Sequence, residues 1–272
     1  VTPINWPSIP ELSDTPNGNG LRMALKRDGS FVQLTRDWIK GRRIDAATGD
    51  YIDYTDLLAP SFPIANLPEN TLLVGEYVVV DADGLDDLPA TVSVLNSTEP
   101  LRRQRSRIVL FDAAWIAGYD VRPRPQHERM ELVRQVVNRC PLPGVEAVTE
   151  MAYDADRYDE IVEAGYEGVV VKDPHARFGN GMWKLKGRRE YTVRLGDFEY
   201  GEGEIHDRAG AFYMQIKING RWVHAGKVGT GFSRRERKLL MEKVPVEAKV
   251  EALGVSEDGK LRQPSFKEVI SS

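Results

Sequence analysis

The stretch LRMALKRDGSFVQL (21–34) sets Lys26 and Asp28 on either side of an arginine, follows them with Gly29, and flanks the group with apolar runs. Read alone it is a β-hairpin with a charged tip, because Asp-Gly is a strong hairpin signal. A second use is open to it, since a lysine amine can act as a nucleophile. A lysine attacking a nucleotide phosphate needs cations for the phosphates, a carboxylate for a metal and a flat platform for the base. All must be fixed on strands, so that attacking and leaving atoms lie in line.

The sequence offers a candidate for each part. Lys184 and Lys186 of WKLK stand at i and i+2, so on a strand they share a face and form a two-pronged phosphate clamp; the alternative is a solvated strand face. Glu167 precedes three valines in EGVVVK, at the mouth of a buried strand where a carboxylate could hold Mg²⁺, or it merely closes a loop. Glu76 interrupts LVGEYVVV, and a charge within a buried strand must be paired or put to use. Phe111 in IVLFD is either a surface for a purine or a core residue.

The elements that must position these residues follow from the hydrophobic pattern. TLLVGEYVVVD (71–81) and RIVLFDAAWI (107–116) read as buried strands, and EGVVVKD (167–173) and MWKLKG (182–187) as shorter ones. PQHERMELVRQVVNRC (125–140) puts Met130, Val133, Val136 and Val137 on one helical face. A short helix with Asp154 or Asp156 as N-cap ends near Gly165. From about residue 191 the chain turns to short strands with glycine turns. One helix interrupts them, with a Ser233/Glu236 capping box and Leu239 and Leu240 as its apolar face. Residues 1–20, rich in proline, read as an irregular arm. The expected fold is α+β: residues 1–190 form antiparallel sheets with flanking helices, and residues 191–272 a small OB-type β-barrel.

Composition narrows the class. With 41% hydrophobic and 29% charged residues the chain is an ordinary globular protein, and no apolar run is long enough to span a bilayer. No signal peptide is seen, and the single cysteine, Cys140, forms no internal disulfide; together these point to the cytoplasm. The four histidines lack zinc-ligand spacing. A net charge of −4 excludes a uniformly basic nucleic-acid binder, but KGRR (40–43), RRQRSR (102–107), KLKGRR (184–189) and RRERK (234–238) are local basic clusters, readable as phosphate-binding patches or solvated faces.

Taken in order, these segments resemble the nucleotidyltransferases that form a lysyl-nucleotide, and among them ATP-dependent DNA ligases. KRDG resembles the first motif of that family, LVGEYVVVD and RIVLFDAAWIAGYDV the next two, and YEGVVVKDP and MWKLK those that follow; HERMELV matches the helix after the phenylalanine motif. AGKVGTGFS (225–233) and LRQPSFKEV (261–269) resemble the family's OB-domain signatures. Messenger-RNA capping enzymes share the first five motifs, but KVGTGFS favours the ligase branch. The resemblance implies that Lys26 is the adenylated lysine, that Phe111 stacks on adenine, and that Glu76 and Glu167 are the metal-associated carboxylates. It further implies that Lys184 and Lys186 hold phosphate and that Arg262 closes on the ATP phosphates.

ATP as co-substrate, Mg²⁺ (or Mn²⁺), and nicked duplex DNA bound by a monomer without membrane contact are also implied, with a mobile second lobe. Candidate DNA contacts are Arg27, Arg42, Arg188, Arg234 and Arg235, with Arg36 and Arg43 as rival alignments to Arg42 for the nick 5′-phosphate. The family usually has arginine and glutamate where this chain has Phe31 and Ala24. The expected enzyme is minimal, with no separate DNA-binding domain and no long insertion at INGRW (218–222). Other readings are an RNA ligase, a capping-type enzyme, or a non-enzymatic nick-binding module.

Overall fold

In a computed structural model of the chain, described for residues 1–12, 16, 20–97, 105–203, 206–256 and 258–271, the chain forms two compact units, Val1–Lys186 and Gly187–Ser272. Arg102 and Arg103 of the second basic cluster lie outside the described residues. Among the described residues no helix is long and apolar enough to cross a membrane.

The first unit runs β1 (Arg22–Leu25), β2 (Ser30–Leu34), β3 (Ile39–Ile44), β4 (Tyr51–Asp53), α1 (Thr55–Leu58), β5 (Leu72–Val79), α2 (Leu88–Leu95), β6 (Ser106–Ile116) and β7 (Tyr119–Asp120). It continues with α3 (Gln126–Arg139), β8 (Val145–Ala147), β9 (Met151–Ala152), α4 (Ala155–Glu163), β10 (Gly168–Lys172) and β11 (Met182–Lys186). Two sheets result. One is four-stranded in the order β11-β10-β1-β9, and the other runs β4-β3-β2-β5-β6-β7 with β8 added parallel to β6.

The hairpin expected at Asp28-Gly29 does not form. β1 pairs with β9 and β10 in the first sheet, while β2 pairs with β3 and β5 in the second, so Lys26–Gly29 is a crossing between sheets. Gly29 is not in the left-handed region. Its role is close approach: a Cβ there would lie 2.3 Å from the Tyr77 carbonyl oxygen and 2.5 Å from Val78 Cγ1. Asp86, following β5, holds the crossing by accepting from the Asp28 amide at 2.9 Å and from Arg27 Nη2 at 2.7 Å.

Each sheet buries its outer face by the alternation rule. Met23, Val169, Val171 and Leu185 pack on Tyr158 and Ile161 of α4, which is capped by Asp154 and followed by Gly165 at φ +96°. On the second sheet, Val32, Leu34, Ile108 and Leu110 join Met130, Val133 and Val136 of α3. The inner faces enclose Trp6, Val74 and Met182, with Phe31, Phe111, Val170 and Phe178 packed around them.

β6 carries a β-bulge at a decisive place. Val74 pairs with Asp112 but Gly75 with Leu110, which leaves Phe111 as the extra residue and re-aims it. Gly75 allows the bulge, since a Cβ would meet the Val109 carbonyl oxygen at 2.7 Å. Next to it, fully buried Asp112 accepts two bonds from fully buried Arg129, at 2.7 and 2.9 Å.

The second unit is β12 (Arg189–Tyr200), β13 (Ala209–Ile218), β14 (Arg221–Val228), α5 (Arg234–Lys243), β15 (Val246–Ala252) and β16 (Ser265–Ser271), in the sheet order β14-β13-β12-β15-β16. A parallel bridge between Thr230 and Ser265 joins the two edges of the sheet. Asn219 and Gly220, both at positive φ, make the β13–β14 turn. The Ser233/Glu236 capping box starts α5. Its apolar face is narrower than expected: Leu240 is buried and Met241 packs beside it, but Leu239 is exposed.

Removing one partner of a buried ion pair strands the other charge. Arg129→Ala is therefore expected to cost about 3–5 kcal/mol of stability, read from the urea midpoint; a loss below 1 kcal/mol would show that the pair is not needed.

Candidate active site

Strand register explains how the charged residues meet. β1 pairs Ala24 with Val170, and the ladder continues with the Lys26 amide donating to the Gly168 carbonyl at 2.9 Å. On the other side of β10, Lys184 faces Val170 and Lys186 faces Gly168. Lys26 and Lys186 thus flank the start of β10, where Glu167 sits. Glu167 is buried; one carboxylate oxygen accepts from the Lys26 ammonium, and the other lies 3.4 Å from Lys186 Nζ. The Lys184–Lys186 spacing does place both lysines on the inner face, with Ala24 and Val170.

The second sheet supplies the opposite wall. Phe31, Glu76 and Val109 lie in one cross-strand row, and the bulge adds Phe111. Between the sheets is a cavity of about 180 Å³ lined by Trp6, Ile9, Lys26, Arg27, Phe31, Arg42, Glu76, Phe111, Lys172 and Lys184 among others. The fold therefore gathers Lys26, Glu76, Phe111 and Lys184 onto one cavity, with Glu167 and Lys186 bonded to the lysine or its partner.

The electrostatics are those of a site built for a charged ligand. Burial pushes the Glu76 carboxyl up from 4.5 to about 8; Lys26 opposes the rise, and Glu167, Asp28 and Asp86 add to it. Lys184 is shifted down from the usual lysine range, first by burial and then by Lys26, Lys186 and Arg42. Several acids thus crowd one lysine, and cations crowd another across the cavity. Glu76 and Glu167 are the carboxylates that could hold a divalent cation, which would relieve the repulsion Glu167 exerts on Glu76. Among the described residues no three acidic, histidine or cysteine side chains cluster as metal ligands.

The remaining expected residues separate. Arg42, exposed, lines the cavity and donates to the Trp6 carbonyl oxygen at 3.2 Å. Arg27 also lines it, because β1 ends at Leu25 and strand alternation no longer applies, but its guanidinium is held by Asp86. Arg188, Arg234, Arg235 and Arg262 belong to the second unit. Arg234 and Arg235 are exposed on α5, Arg188 donates to the Gln263 carbonyl oxygen at 3.2 Å, and the Arg262 amide to Gly254.

Three contributors were not singled out by sequence patterns. Trp6 lies in the proline-rich arm. Asp86 sits in a loop with only an exposed-looking DADGLDD context. Lys172 ends the strand that Glu167 opens; buried, it donates to Glu150 at 2.7 Å and to the Phe111 carbonyl oxygen at 3.4 Å. Its place inside EGVVVKD was the available signal.

A family profile described as "ATP dependent DNA ligase domain" matches residues 5–186, the whole of the first unit but for four residues. The chain belongs to the ATP-dependent DNA ligase domain family. Curated relatives of this ligase domain include a DNA ligase of Natronomonas pharaonis, 24% identical over 86% of the chain, and the LigD end-joining protein of Mycobacterium bovis, 27% identical over 82%. The chain spans 42% and 28% of those two proteins, well under half of each. In fold, the ligase domain and its second unit are similar to a solved structure of Lig E DNA ligases, described as binding DNA with a minimal scaffold. That similarity has a TM-score of 0.74 at 19% identity, over 96% of this chain and 99% of that one. The ligase domain of Mycobacterium tuberculosis LigD superposes at TM-score 0.51 and 20% identity, over 92% and 88%.

The raised Glu76 pKa has a measurable sign. Between pH 4.5 and about 8 the folded protein keeps a proton that the unfolded chain has released. This group's contribution to stability is thus complete below 4.5 and is lost as pH rises through about 8. Glu76→Gln is expected to raise the thermal midpoint of the nucleotide-free protein more at alkaline than at acidic pH; a gain that does not grow with pH would contradict the assignment.

Proposed function

We propose that this chain is an ATP-dependent DNA ligase that seals 5′-phosphate/3′-hydroxyl nicks in duplex DNA, acting as a monomer. The observation that carries the reading is the Lys26 amine seated on buried Glu167, in a family ligase domain, with Lys186 on the other carboxylate oxygen.

In the first step the Lys26 nitrogen, as the free amine, attacks the α-phosphorus of ATP. An N–P bond forms, the bond to the β-phosphate oxygen breaks, and pyrophosphate leaves with the electron pair. The Glu167 oxygen that accepts from Lys26 is placed to hold the proton the amine gives up. Lys184 and Lys186 offset charge on the phosphates, and Phe111 carries the adenine. The AMP then passes to the 5′-phosphate of the nick. Attack by the 3′-hydroxyl forms the new phosphodiester and releases AMP. Mg²⁺ held by Glu167 and Glu76 would supply charge stabilisation on the transferring phosphate.

We assign Arg42, at the cavity wall, to the incoming 5′-phosphate. The second unit we read as an OB-type barrel. Its strand order, the helix between its third and fourth strands, and the parallel Thr230–Ser265 bridge support that reading. Its Arg188, Arg234 and Arg235 are assigned to the duplex, and Arg262 to the ATP phosphates.

Nick sealing on a denaturing gel tests this. Wild type with ATP joins a nicked DNA duplex and Lys26→Ala does not; sealing by the variant, or by wild type only with GTP or only on nicked RNA, would reject the proposal. Because phosphate contacts release counterions, sealing at limiting enzyme falls steeply between about 50 and 200 mM salt. A flat salt profile would argue against a grip made by these arginines.

A further inference from the structure

The described residues of the N-terminal arm form no regular strand, yet they bridge both sheets at the cavity. The Ile4 amide donates to Gln33 Oε1 on β2 at 2.8 Å, and Gln33 Nε2 returns a bond to the Ile4 carbonyl oxygen at 3.3 Å. Further on, the Lys184 amide donates to the Pro10 carbonyl oxygen and the Leu12 amide to the Lys184 carbonyl oxygen, each at 2.8 Å, so Glu11 bridges β11 in parallel fashion. Glu11 also lies 3.6 Å from Lys186 Nζ. The arm is thereby tied to the backbone of one phosphate lysine and the side chain of the other.

Between these two attachments sits Trp6, 2% exposed. Its ring meets Phe111 edge-on at 5.4 Å and Phe178 edge-on at 4.9 Å, and is tilted against Phe31 at 6.2 Å. It lines the same cavity as Phe111, Lys26 and Lys184. Trp6 also packs on Val74 and Met182, so it closes the inner core as well as facing the cavity. It stands on the inner face, in an aromatic cluster beside the residue assigned to the base. The cavity, about 180 Å³, is also below the ~300 Å³ at which ligand pockets usually begin. Of the cavity walls, the arm is joined to the sheets by fewer hydrogen bonds than the paired strands.

We infer that Trp6 is a second base-contacting residue, and that the arm which carries it sets the affinity of the site for a purine nucleotide. The inference rests on the ligase reading of the cavity. It adds to that reading a specificity-determining residue outside the motifs that carry the family resemblance.

The test is self-adenylation with ATP labelled at the α-phosphate, followed as rate against ATP concentration. Trp6→Ala is expected to raise the half-saturating ATP concentration about tenfold, the scale of one lost aromatic contact, with the saturated rate changed less than about threefold. Trp6→Phe is expected to restore most of the affinity. A purely structural role would instead lower the saturated rate and the thermal midpoint without moving half-saturation, and that result would overturn the inference. Tryptophan emission gives a second readout that does not depend on the alanine variant folding. ATP is expected to quench wild-type emission and to lose most of that effect in Trp6→Phe; an unchanged quench in that variant would overturn the inference. Wild type that fails to label at all would overturn the ligase reading together with the inference, whereas labelled wild type with unshifted Trp6→Ala overturns the inference alone.

Discussion

The structure turns on one contact, the Lys26 amine against the buried carboxylate of Glu167. Burying a carboxylate is costly unless cations face it, and Glu167 has one on each side, Lys26 just past the end of β1 and Lys186 from β11. That bracketing is a matter of register. A slip of one residue in either pairing of β10 would carry the lysine of that strand to the outer face, among Val169, Leu185 and the residues of α4.

On the proposed reading, the second constraint is that the lysine must face a base platform on a different sheet. The chain meets it by leaving β1 at Leu25 and entering β2 at Ser30, so that one short segment belongs to both walls. Asp86 clamps that segment, and Gly29 lets it pass against Tyr77 and Val78. On the far wall, the bulge in β6 turns Phe111 inward while the Asp112–Arg129 pair anchors the residue beside it. Lys172 reaches across from β10 to the Phe111 carbonyl oxygen, which links the platform back to the strand of Glu167.

Much of this was legible in the sequence, and the reasons are specific. The Lys184/Lys186 pair follows from period-two alternation, and the α3 face from 3.6-residue periodicity, because both are local. Glu76 announced itself as a charge in an apolar strand, and it lines the cavity. The partner of a strand is not local, so Asp-Gly read as a hairpin when the two flanking strands belong to separate sheets. A bulge depends on the register of the neighbour, so the sequence alone could not show that Phe111 is the extra residue turned toward the cavity. Trp6 lay in a stretch with no periodicity, and its burial comes from long-range hydrogen bonds to Gln33 and Lys184. Leu239 shows the opposite error: an apolar residue beside Leu240 on α5 faces solvent, because a single turn of helix can bury only one side.

The central claim is that the Lys26 nitrogen becomes bonded to AMP. The most direct measurement is the intact mass of the protein, taken at neutral pH after incubation with ATP, Mg²⁺ and pyrophosphatase. The account predicts that wild type gains the mass of one AMP and that Lys26→Ala gains none. AMP retained on the Lys26→Ala protein, or wild type that seals DNA while never gaining that mass, would contradict it.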